Sequence, residues 1–210
     1  MIRTGLLGGS FNPAHGGHRR ISLEAIRALG LDEMWWLVSP GNPLKEGARD
    51  MAPLAARLAS AHAQARGGRI RPTAIEQQLG TRYTADTLRK LVRRFPDHHF
   101  IWLMGADNLA QFHHWQRWRE IARTMPIAVI ARPGYDGRAL RAPAMGWLRR
   151  FVRRPSHAKQ WTMWSSPALV LLRFRPDPSS ATQVRAIRPD WHSSLTTRGL
   201  RDRVSRRPLP

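Results

Sequence analysis

Two histidines lie three positions apart near the start of the chain, shortly after a pair of glycines. Residues 8–18 read GGSFNPAHGGH. A helix that begins near Gly16 would place His15 and His18 on one side of its first turn. Its unpaired N–H groups and the positive end of its dipole would then suit a phosphate group. No Gly-Lys-Ser/Thr follows and the run is not GxGxxG, so the predicted phosphate site is neither a Walker loop nor a dinucleotide fingerprint.

A second run with phosphate-binding groups lies near the other end of the chain. Residues 180–185 read SATQVR and follow an apolar run. Ser180 or Thr182 can cap the next helix, whose first N–H groups can hold phosphate oxygens. The planar guanidinium of Arg185 can bind a β- or γ-phosphate. An ordinary helix cap beside a surface arginine has the same sequence, so this run gains its meaning only together with the histidine pair.

Short apolar runs alternate with helical patterns and could bring the two ends together. The predicted strands are 6–7, 34–38, 69–75, 100–104, 127–131 and 168–174, and the predicted helices include 16–29, 54–65 and one that Thr84 caps and that stops before Pro96. This alternation predicts an α/β fold, namely a Rossmann-like, doubly wound, mostly parallel sheet with helices on both faces. Ligands of such sheets bind at the carboxyl ends of the strands, where the strand order switches. We expect the irregular stretch 135–167 to be an added helical segment or a partly mobile loop.

The composition of the chain is that of one globular domain. The chain has 210 residues, of which 42% are hydrophobic and 23% are charged. These values exclude a disordered or collagen-like chain. No stretch approaches the roughly 18 uncharged residues of a membrane-spanning helix. There is no cysteine, which excludes disulfides, thiolate metal sites and a cysteine nucleophile and makes the cytoplasm the default location.

An excess of arginine gives the chain a formal net charge of +21. Such a charge favours polyanionic partners, including nucleotides and nucleic acids. Trp147, Trp161 and Trp164 lie among arginines, as the aromatic residues of a basic module that binds single-stranded nucleic acid would. We favour a generally basic surface, because the charge is spread along the chain and codon bias in a GC-rich genome would also produce an arginine excess.

The histidine run resembles the HxGH signature of the nucleotidyltransferase superfamily, and residues 180–185 resemble its second signature. Inner runs narrow this resemblance, namely PLK at 43–45, YTADTL at 83–88, MGADNL at 104–109 and RPG at 132–134. Together they look like the nicotinate-nucleotide adenylyltransferase family over about residues 4–188. One departure is Asn12, where members commonly have Asp. We expect a nucleotidyltransferase domain at 1–188 and a flexible, arginine-rich tail at 189–210.

The resemblance implies a reaction between ATP and nicotinate mononucleotide. Its products would be deamido-NAD (nicotinate adenine dinucleotide) and pyrophosphate, in NAD biosynthesis. A phosphate monoester has a second pKa of about 6, so at pH 7 it is mostly a dianion and can attack the α-phosphorus of ATP without a protein base. The protein then needs to align the substrates and stabilise charge. We expect Mg²⁺ to arrive with the triphosphate and assign no protein ligand to a metal.

The resemblance also implies roles for individual residues. His18 would contact the α-phosphate and support its developing charge, His15 would hold the triphosphate, and Arg185 would complete the catalytic set. The implied ATP-binding residues are Gly8, Gly9, Ser10, Phe11, His15, His18, Gly105, Asp107, Arg132, Ser180, Thr182, Val184 and Arg185. The implied nicotinate-nucleotide-binding residues are Lys45, Thr84, Thr87, Trp115 and Gln116. Trp115 would stack on the pyridine ring, whereas Phe112 and Trp118, at helical spacing from it, are expected in the core.

Two other interpretations remain open. A sister enzyme, pantetheine-phosphate adenylyltransferase or another HxGH transferase, would share both signatures but not the YTADTL and MGADNL runs. From a different class, a basic nucleic-acid-binding module would bind DNA with a steep dependence on salt. The expected partners are ATP and nicotinate mononucleotide, a membrane is not among them and nucleic acid is disfavoured. Whether the chain forms a homo-oligomer stays open.

Overall fold

A sheet of seven parallel strands forms the middle layer of the protein. The computed structural model describes residues 1–41, 51–131, 136–175, 177 and 179–208. The strands are β1 (Ile2–Gly9), β2 (Glu33–Val38), β3 (Ile70–Thr73), β4 (His98–Gly105), β5 (Ile127–Ile130), β6 (Val152–Arg153) and β7 (Leu169–Leu172). Their order is β3-β2-β1-β4-β5-β7-β6, and all pairings are parallel. The strand order therefore switches between β1 and β4, as in the doubly wound sheet that the sequence predicts.

Helices connect the strands on both sides of the sheet. They are α1 (Gly16–Leu29), α2 (Leu54–Ala65), α3 (Ile75–Gln78), α4 (Thr84–Arg94), α5 (Ala106–Ala110), α6 (Trp118–Thr124), α7 (Asp136–Leu140), α8 (Pro143–Leu148) and α9 (Ala181–Ile187). The predicted bounds of α2 are confirmed, and α1 ends at Gly30 in the left-handed conformation (φ 61°) that glycine tolerates. Thr84 was wrongly predicted as the cap of α4. It is already the first helical residue, and Tyr83 before it makes no side-chain cap.

Each face of the sheet has its own apolar core. Leu6, Trp35 and Trp102 point to the face that α3, α4, α5, α6 and α8 cover. Leu7 and Trp36 point to the opposite face, which α1 and α2 cover. Successive residues of a strand alternate between the faces, so a strand covered on both faces is apolar throughout. For this reason every residue of β2 is buried.

The described residues 136–167 are mostly helical, with the short strand β6 among them, which confirms the first of the two forms predicted for this stretch. It contains α7, α8 and two 3₁₀ segments, Arg149–Phe151 and Pro155–Met163. Trp161 is buried there, and its Nε1 donates a hydrogen bond to the carbonyl of Leu29 at 3.0 Å. This tryptophan is therefore not on a surface where a base could stack. Among the residues described, no helix is both long and apolar enough to cross a membrane.

The arginine-rich tail makes contacts that its composition did not predict. Asp202 is 1% exposed. Its Oδ2 accepts hydrogen bonds from the hydroxyl of Thr73 at 2.9 Å and from the N–H of Ala74 at 2.7 Å. The N–H of Arg203 donates to the carbonyl of Pro72 at 3.2 Å. One buried carboxylate thus satisfies several donors at the end of β3, and the flexibility of the tail stays a prediction. The division of the chain at residue 188 stays a prediction.

Candidate active site

The switch point places the ends of β1 and β4 side by side. The two strands are neighbours and end at Gly9 and Gly105. The ring of Trp102 lies over Gly8, where a Cβ atom would come within 2.5 Å of the ring. Gly8 is therefore required for the packing of Trp102, a reason that its place in a glycine turn did not indicate.

The two histidines cap the start of α1 together. Nδ1 of His15 accepts a hydrogen bond from the N–H of Gly17 at 3.2 Å. Nδ1 of His18 accepts one from the N–H of His15, also at 3.2 Å, and the ring centroids are 3.9 Å apart. Because both Nδ1 atoms accept, a neutral ring carries its proton on Nε2. Each ring can thus present an N–H donor, the kind of group that stabilises charge on a phosphate oxygen.

The ring of Phe11 packs against the ring of His18. Its side chain is buried, its backbone is left-handed (φ 48°), and its ring centroid lies 4.7 Å from that of His18. On its other side the ring stacks on Trp36 with centroids 5.2 Å apart. Because the side chain of Phe11 is enclosed between these rings, its backbone is the part that would make the predicted contact with ATP, which stays a prediction.

The two signatures meet although they lie at opposite ends of the chain. The N–H of Gly17 donates to Oγ of Ser179 at 3.0 Å across 162 positions. A Cβ atom on Gly17 would lie 2.9 Å from the ring of His15 and 3.3 Å from the carbonyl of Ser179. Nη1 of Arg185 donates to the carbonyl of Asn12 at 2.6 Å. The side chain that the sequence assigned to phosphate thus also holds the backbone of the first signature.

The start of α9 is capped as predicted, and a carboxylate orders the turn before it. Oγ of Ser180 accepts from the N–H of Gln183, whose side chain accepts in return from the N–H of Ser180. The hydroxyl and the N–H of Ser179 both donate to Oδ1 of Asp177. These hydrogen bonds hold the pKa of the Asp177 carboxyl below its usual range. Asp177 therefore holds Ser179, the residue that contacts α1, through side-chain hydrogen bonds.

Sequence comparison places this arrangement among known proteins. The model of the cytidylyltransferase-like family matches residues 6–187. A probable nicotinate-nucleotide adenylyltransferase of Erythrobacter litoralis (strain HTCC2594) is 62% identical over 208 residues, which cover 99% of this chain and 94% of the relative. The chain belongs to the nicotinate-nucleotide adenylyltransferase branch of this family. A probable nicotinate-nucleotide adenylyltransferase of Parvibaculum lavamentivorans is 51% identical and covers 88% of this chain and 91% of its own. The resemblance found in the motifs is confirmed.

Solved structures support the fold of this adenylyltransferase branch. Plasmodium falciparum nicotinic acid mononucleotide adenylyltransferase complexed with NaAD superposes with a TM-score of 0.65 at 16% identity, covering 89% of this chain and 83% of that one. The same protein complexed with APC gives a TM-score of 0.63. At this identity the likeness concerns the fold.

Most residues assigned to ATP through the family resemblance lie around the switch point. Ser10 follows β1, Gly105 precedes α5, and Asp107 lies in the first turn of α5. Thr182 is exposed and Val184 partly exposed in the first turns of α9. The structure thus gathers these positions at one end of the sheet. Arg132 lies outside the described residues.

Thr87 differs from its predicted role in this adenylyltransferase. Its side chain is fully buried. Its hydroxyl lies 3.1 Å from Oε1 of Glu76 and 2.8 Å from Oγ1 of Thr81. A group enclosed in this way cannot touch a nucleotide, so Thr87 supports the start of α4 from inside. Thr84 is partly exposed in the first turn of the same helix.

Three aromatic residues meet where a 3₁₀ segment ends and α6 begins, and they do not lie on one helix. Phe112 belongs to the 3₁₀ segment Phe112–His114, Trp115 follows it with extended backbone, and Trp118 begins α6. Phe112 is fully buried and contacts both tryptophans, with centroids 5.5 Å and 5.7 Å apart. Trp115 is partly buried and its neighbour Gln116 is exposed. The predicted contact of Trp115 with the pyridine ring therefore stays a prediction. Lys45 lies outside the described residues.

The sequence did not predict the residues that hydrogen-bond to the backbone of the first signature. Oγ of Ser60 in α2 accepts from the N–H of Ala14 at 2.8 Å. Arg57 on the same helix binds the carbonyl of Ser10 at 2.8 Å. Ser179, just before the second signature, was also missed. One indication for α2 was present in the sequence. Its alanine-rich pattern suggests a buried helix, so polar residues on it are expected to bind other buried groups.

Proposed function

We propose that this chain transfers the adenylyl group of ATP to nicotinate mononucleotide, giving nicotinate adenine dinucleotide and pyrophosphate. The observation that carries the proposal is the 62% identity to a probable nicotinate-nucleotide adenylyltransferase over nearly the whole chain. The relative at 51% identity bears the same description. Both phosphate signatures meet at the switch point of the sheet, where a nucleotide is expected to bind.

The proposed chemistry needs no covalent intermediate with the protein. A phosphate oxygen of nicotinate mononucleotide attacks the α-phosphorus of ATP, and the bond from that phosphorus to the oxygen bridging the α- and β-phosphates breaks. Pyrophosphate leaves with the electron pair of that bond. Nε2–H of His18 would stabilise charge on the α-phosphate, and His15 would hold the departing phosphates. The mutual capping of the two rings supports these roles, because it orients both before substrate binds.

Magnesium enters this proposal as part of the substrate. Within the described part of the chain, no group of three or more His, Asp or Glu side chains is arranged to hold a metal ion. Mg²⁺ bound to the triphosphate would reduce the charge that the protein must accommodate. Arg185, at the contact between the signatures, would then bind the outer phosphates.

The acceptor would bind beside α4. Tyr83, the residue before this helix of eleven residues, makes no side-chain cap, and the positive end of the helix suits the carboxylate of nicotinate. Thr84 in its first turn would contact that carboxylate, and Trp115 with Gln116 would contact the pyridine ring. Lys45 would contact the phosphate of the acceptor. Amide in place of carboxylate removes the charge, which supports a preference for nicotinate over nicotinamide.

The proposal is tested by pyrophosphate release from ATP and Mg²⁺ with three acceptors in parallel. They are nicotinate mononucleotide, nicotinamide mononucleotide and phosphopantetheine. We expect strong preference for the first. Preference for phosphopantetheine would keep the histidine chemistry and overturn the acceptor. No release from folded protein with any acceptor would overturn the reaction and give priority to salt-dependent DNA binding. Fractionation would test the predicted cytoplasmic location.

A further inference from the structure

Arg57 is a buried arginine that the proposed chemistry does not use. It lies in α2 and is 2% exposed. Its guanidinium donates to four backbone carbonyls. Nε binds the oxygen of Ala52 at 2.8 Å, Nη1 binds Ser10 at 2.8 Å and Ser39 at 2.7 Å, and Nη2 binds Pro40 at 3.3 Å. The planar fork of arginine can reach several acceptors in fixed directions, which the single ammonium of lysine cannot do.

These carbonyls belong to the loop after β1 and to segments that lie on the β2 side of the switch point. Ser10 begins the loop that leads from β1 to His15 and His18. Ser39 and Pro40 follow the carboxyl end of β2, on the side of the sheet where β3 leads to α3 and α4. Ala52 precedes α2, and its N–H donates to the side chain of Asn12 at 3.1 Å. One guanidinium thus joins the histidine loop to the segments that flank residues 42–50.

The hydrogen bonds also fix which way the peptides of the histidine loop point. The C=O and N–H of a trans peptide point in opposite directions. Because the carbonyl of Ser10 points to Arg57, the N–H of Phe11 points away from α2. The carbonyl of Gly9 accepts from the N–H of Ser39 at 3.0 Å, so the N–H of Ser10 also points away from that contact. The N–H of Phe11 thus points away from α2, and the N–H of Ser10 points away from β2.

We propose that Arg57 is a positioning residue that aims the N–H groups of Ser10 and Phe11 at the phosphates of ATP and couples this loop to the acceptor side through Ser39 and Pro40. The inference rests on the proposed function. It assigns to an internal arginine an effect on both substrates, neither of which it touches. Its loss should weaken binding of both substrates and turnover together, because the loop and the β2 end would lose their common anchor.

Arg57→Lys is the test, and Arg69→Lys, at an exposed arginine, is the control. Arg69 also binds backbone carbonyls with its guanidinium, those of Leu31 and Asp32, but these lie at the amino end of β2, far from the histidines. We expect Arg57→Lys to raise KM for nicotinate mononucleotide and Kd for a non-hydrolysable ATP analogue about tenfold each and to lower kcat about tenfold or more. Arg69→Lys should lower the melting temperature and leave all three constants within twofold.

Two results would overturn the inference. One is an Arg57→Lys enzyme, folded by circular dichroism, whose constants all stay within twofold of the parent. The other is an Arg69→Lys enzyme that shows the same changes, since the effect would then be general destabilisation. If the parent protein releases no pyrophosphate, the proposed reaction is wrong. Binding of the ATP analogue would still test the role of Arg57.

A measurement on the unmodified protein covers the case in which Arg57→Lys does not fold. In ¹⁵N-labelled parent, the ATP analogue should shift the amide proton resonances of Ser10 and Phe11 downfield, as expected for N–H groups that donate to phosphate. The amide of Asp32, which precedes the amino end of β2, serves as the reference and should not move. Unchanged Ser10 and Phe11 resonances at saturating analogue would contradict the proposed direction of these groups.

Discussion

His18 is the side chain on which the proposed transition-state stabilisation depends most. Its Nδ1 accepts from the backbone of His15, which leaves Nε2–H as the donor of the neutral ring. We expect His18→Ala to lower kcat about 100- to 1000-fold, the effect of removing one donor from a developing oxyanion. His18→Asn is the control for structure, because its side-chain oxygen can still accept from His15. Pyrophosphate release at saturating substrates measures kcat, and a value within a few-fold of the parent in folded His18→Ala would refute the role.

Glu76 makes the stability of the protein depend on pH. Burial raises the pKa of its carboxyl from 4.5 to about 7, against the opposing hydrogen bonds from Thr87 and Ser39. Between these two values the folded state holds a proton that the unfolded state has lost, so the free energy of unfolding falls as pH rises through this window. Above about pH 7 the full penalty remains.

Glu76→Gln removes this titration while keeping an acceptor for Thr87. We subtract the unfolding free energy of the parent from that of the variant. We expect this difference to be about 1–3 kcal/mol larger at pH 8 than at pH 5. Urea denaturation at the two pH values measures this difference. Glu120→Gln, at an exposed glutamate of α6, is the control and should show no such difference. A Glu76→Gln effect that is equal at both pH values would contradict the buried, protonated carboxyl.

At the scale of elements, the contact between α1 and the turn before α9 determines how the two signatures meet. Gly17 allows it, because a Cβ atom there would lie 2.9 Å from the ring of His15 and 3.3 Å from the carbonyl of Ser179. We expect Gly17→Ala to raise KM for ATP and lower kcat, each about tenfold or more, as displacement of catalytic groups does. At Gly16 the nearest atom would be Oγ of Ser179 at 3.7 Å, so Gly16→Ala should stay near parent values. Equal kinetics for both variants would refute the close contact.

Elements whose limits depend on local signals were predictable from the sequence. The alanine-rich run favours the helix α2, and the glycine after α1 favours the end of that helix. The Thr84 cap failed because a threonine near a helix start can be the cap or the first helical residue, and neighbouring backbone decides. The roles of Arg57, Ser60 and Ser179 were not predictable, since each depends on a loop that only tertiary folding brings near.

At the scale of the whole molecule, the chain crosses its sheet so that distant segments support one site. The first strand lies inside the sheet, between β2 and β4, and the segment before the second signature returns to the loop after it across 162 positions. The tail then extends to β3 at the far edge, where Asp202 binds Thr73 and Ala74. The edge strand β3, which leads into α3 and α4, is thus bound by a residue of the C-terminal tail.

This closure predicts that one carboxylate in the tail contributes to global stability. Asp202→Ala would leave the hydroxyl of Thr73 and the N–H of Ala74 without their acceptor in a buried place, and we expect a loss of about 2–4 kcal/mol. Asp190→Ala is the matched control, because Asp190 is an exposed acid of the same tail, and it should change stability by less than about 0.5 kcal/mol. Urea denaturation measures both. An equally small change in the two variants would mean that the tail is loose in solution, as its arginine-rich composition suggests, whereas a large loss in Asp202→Ala alone would establish it as part of the folded domain.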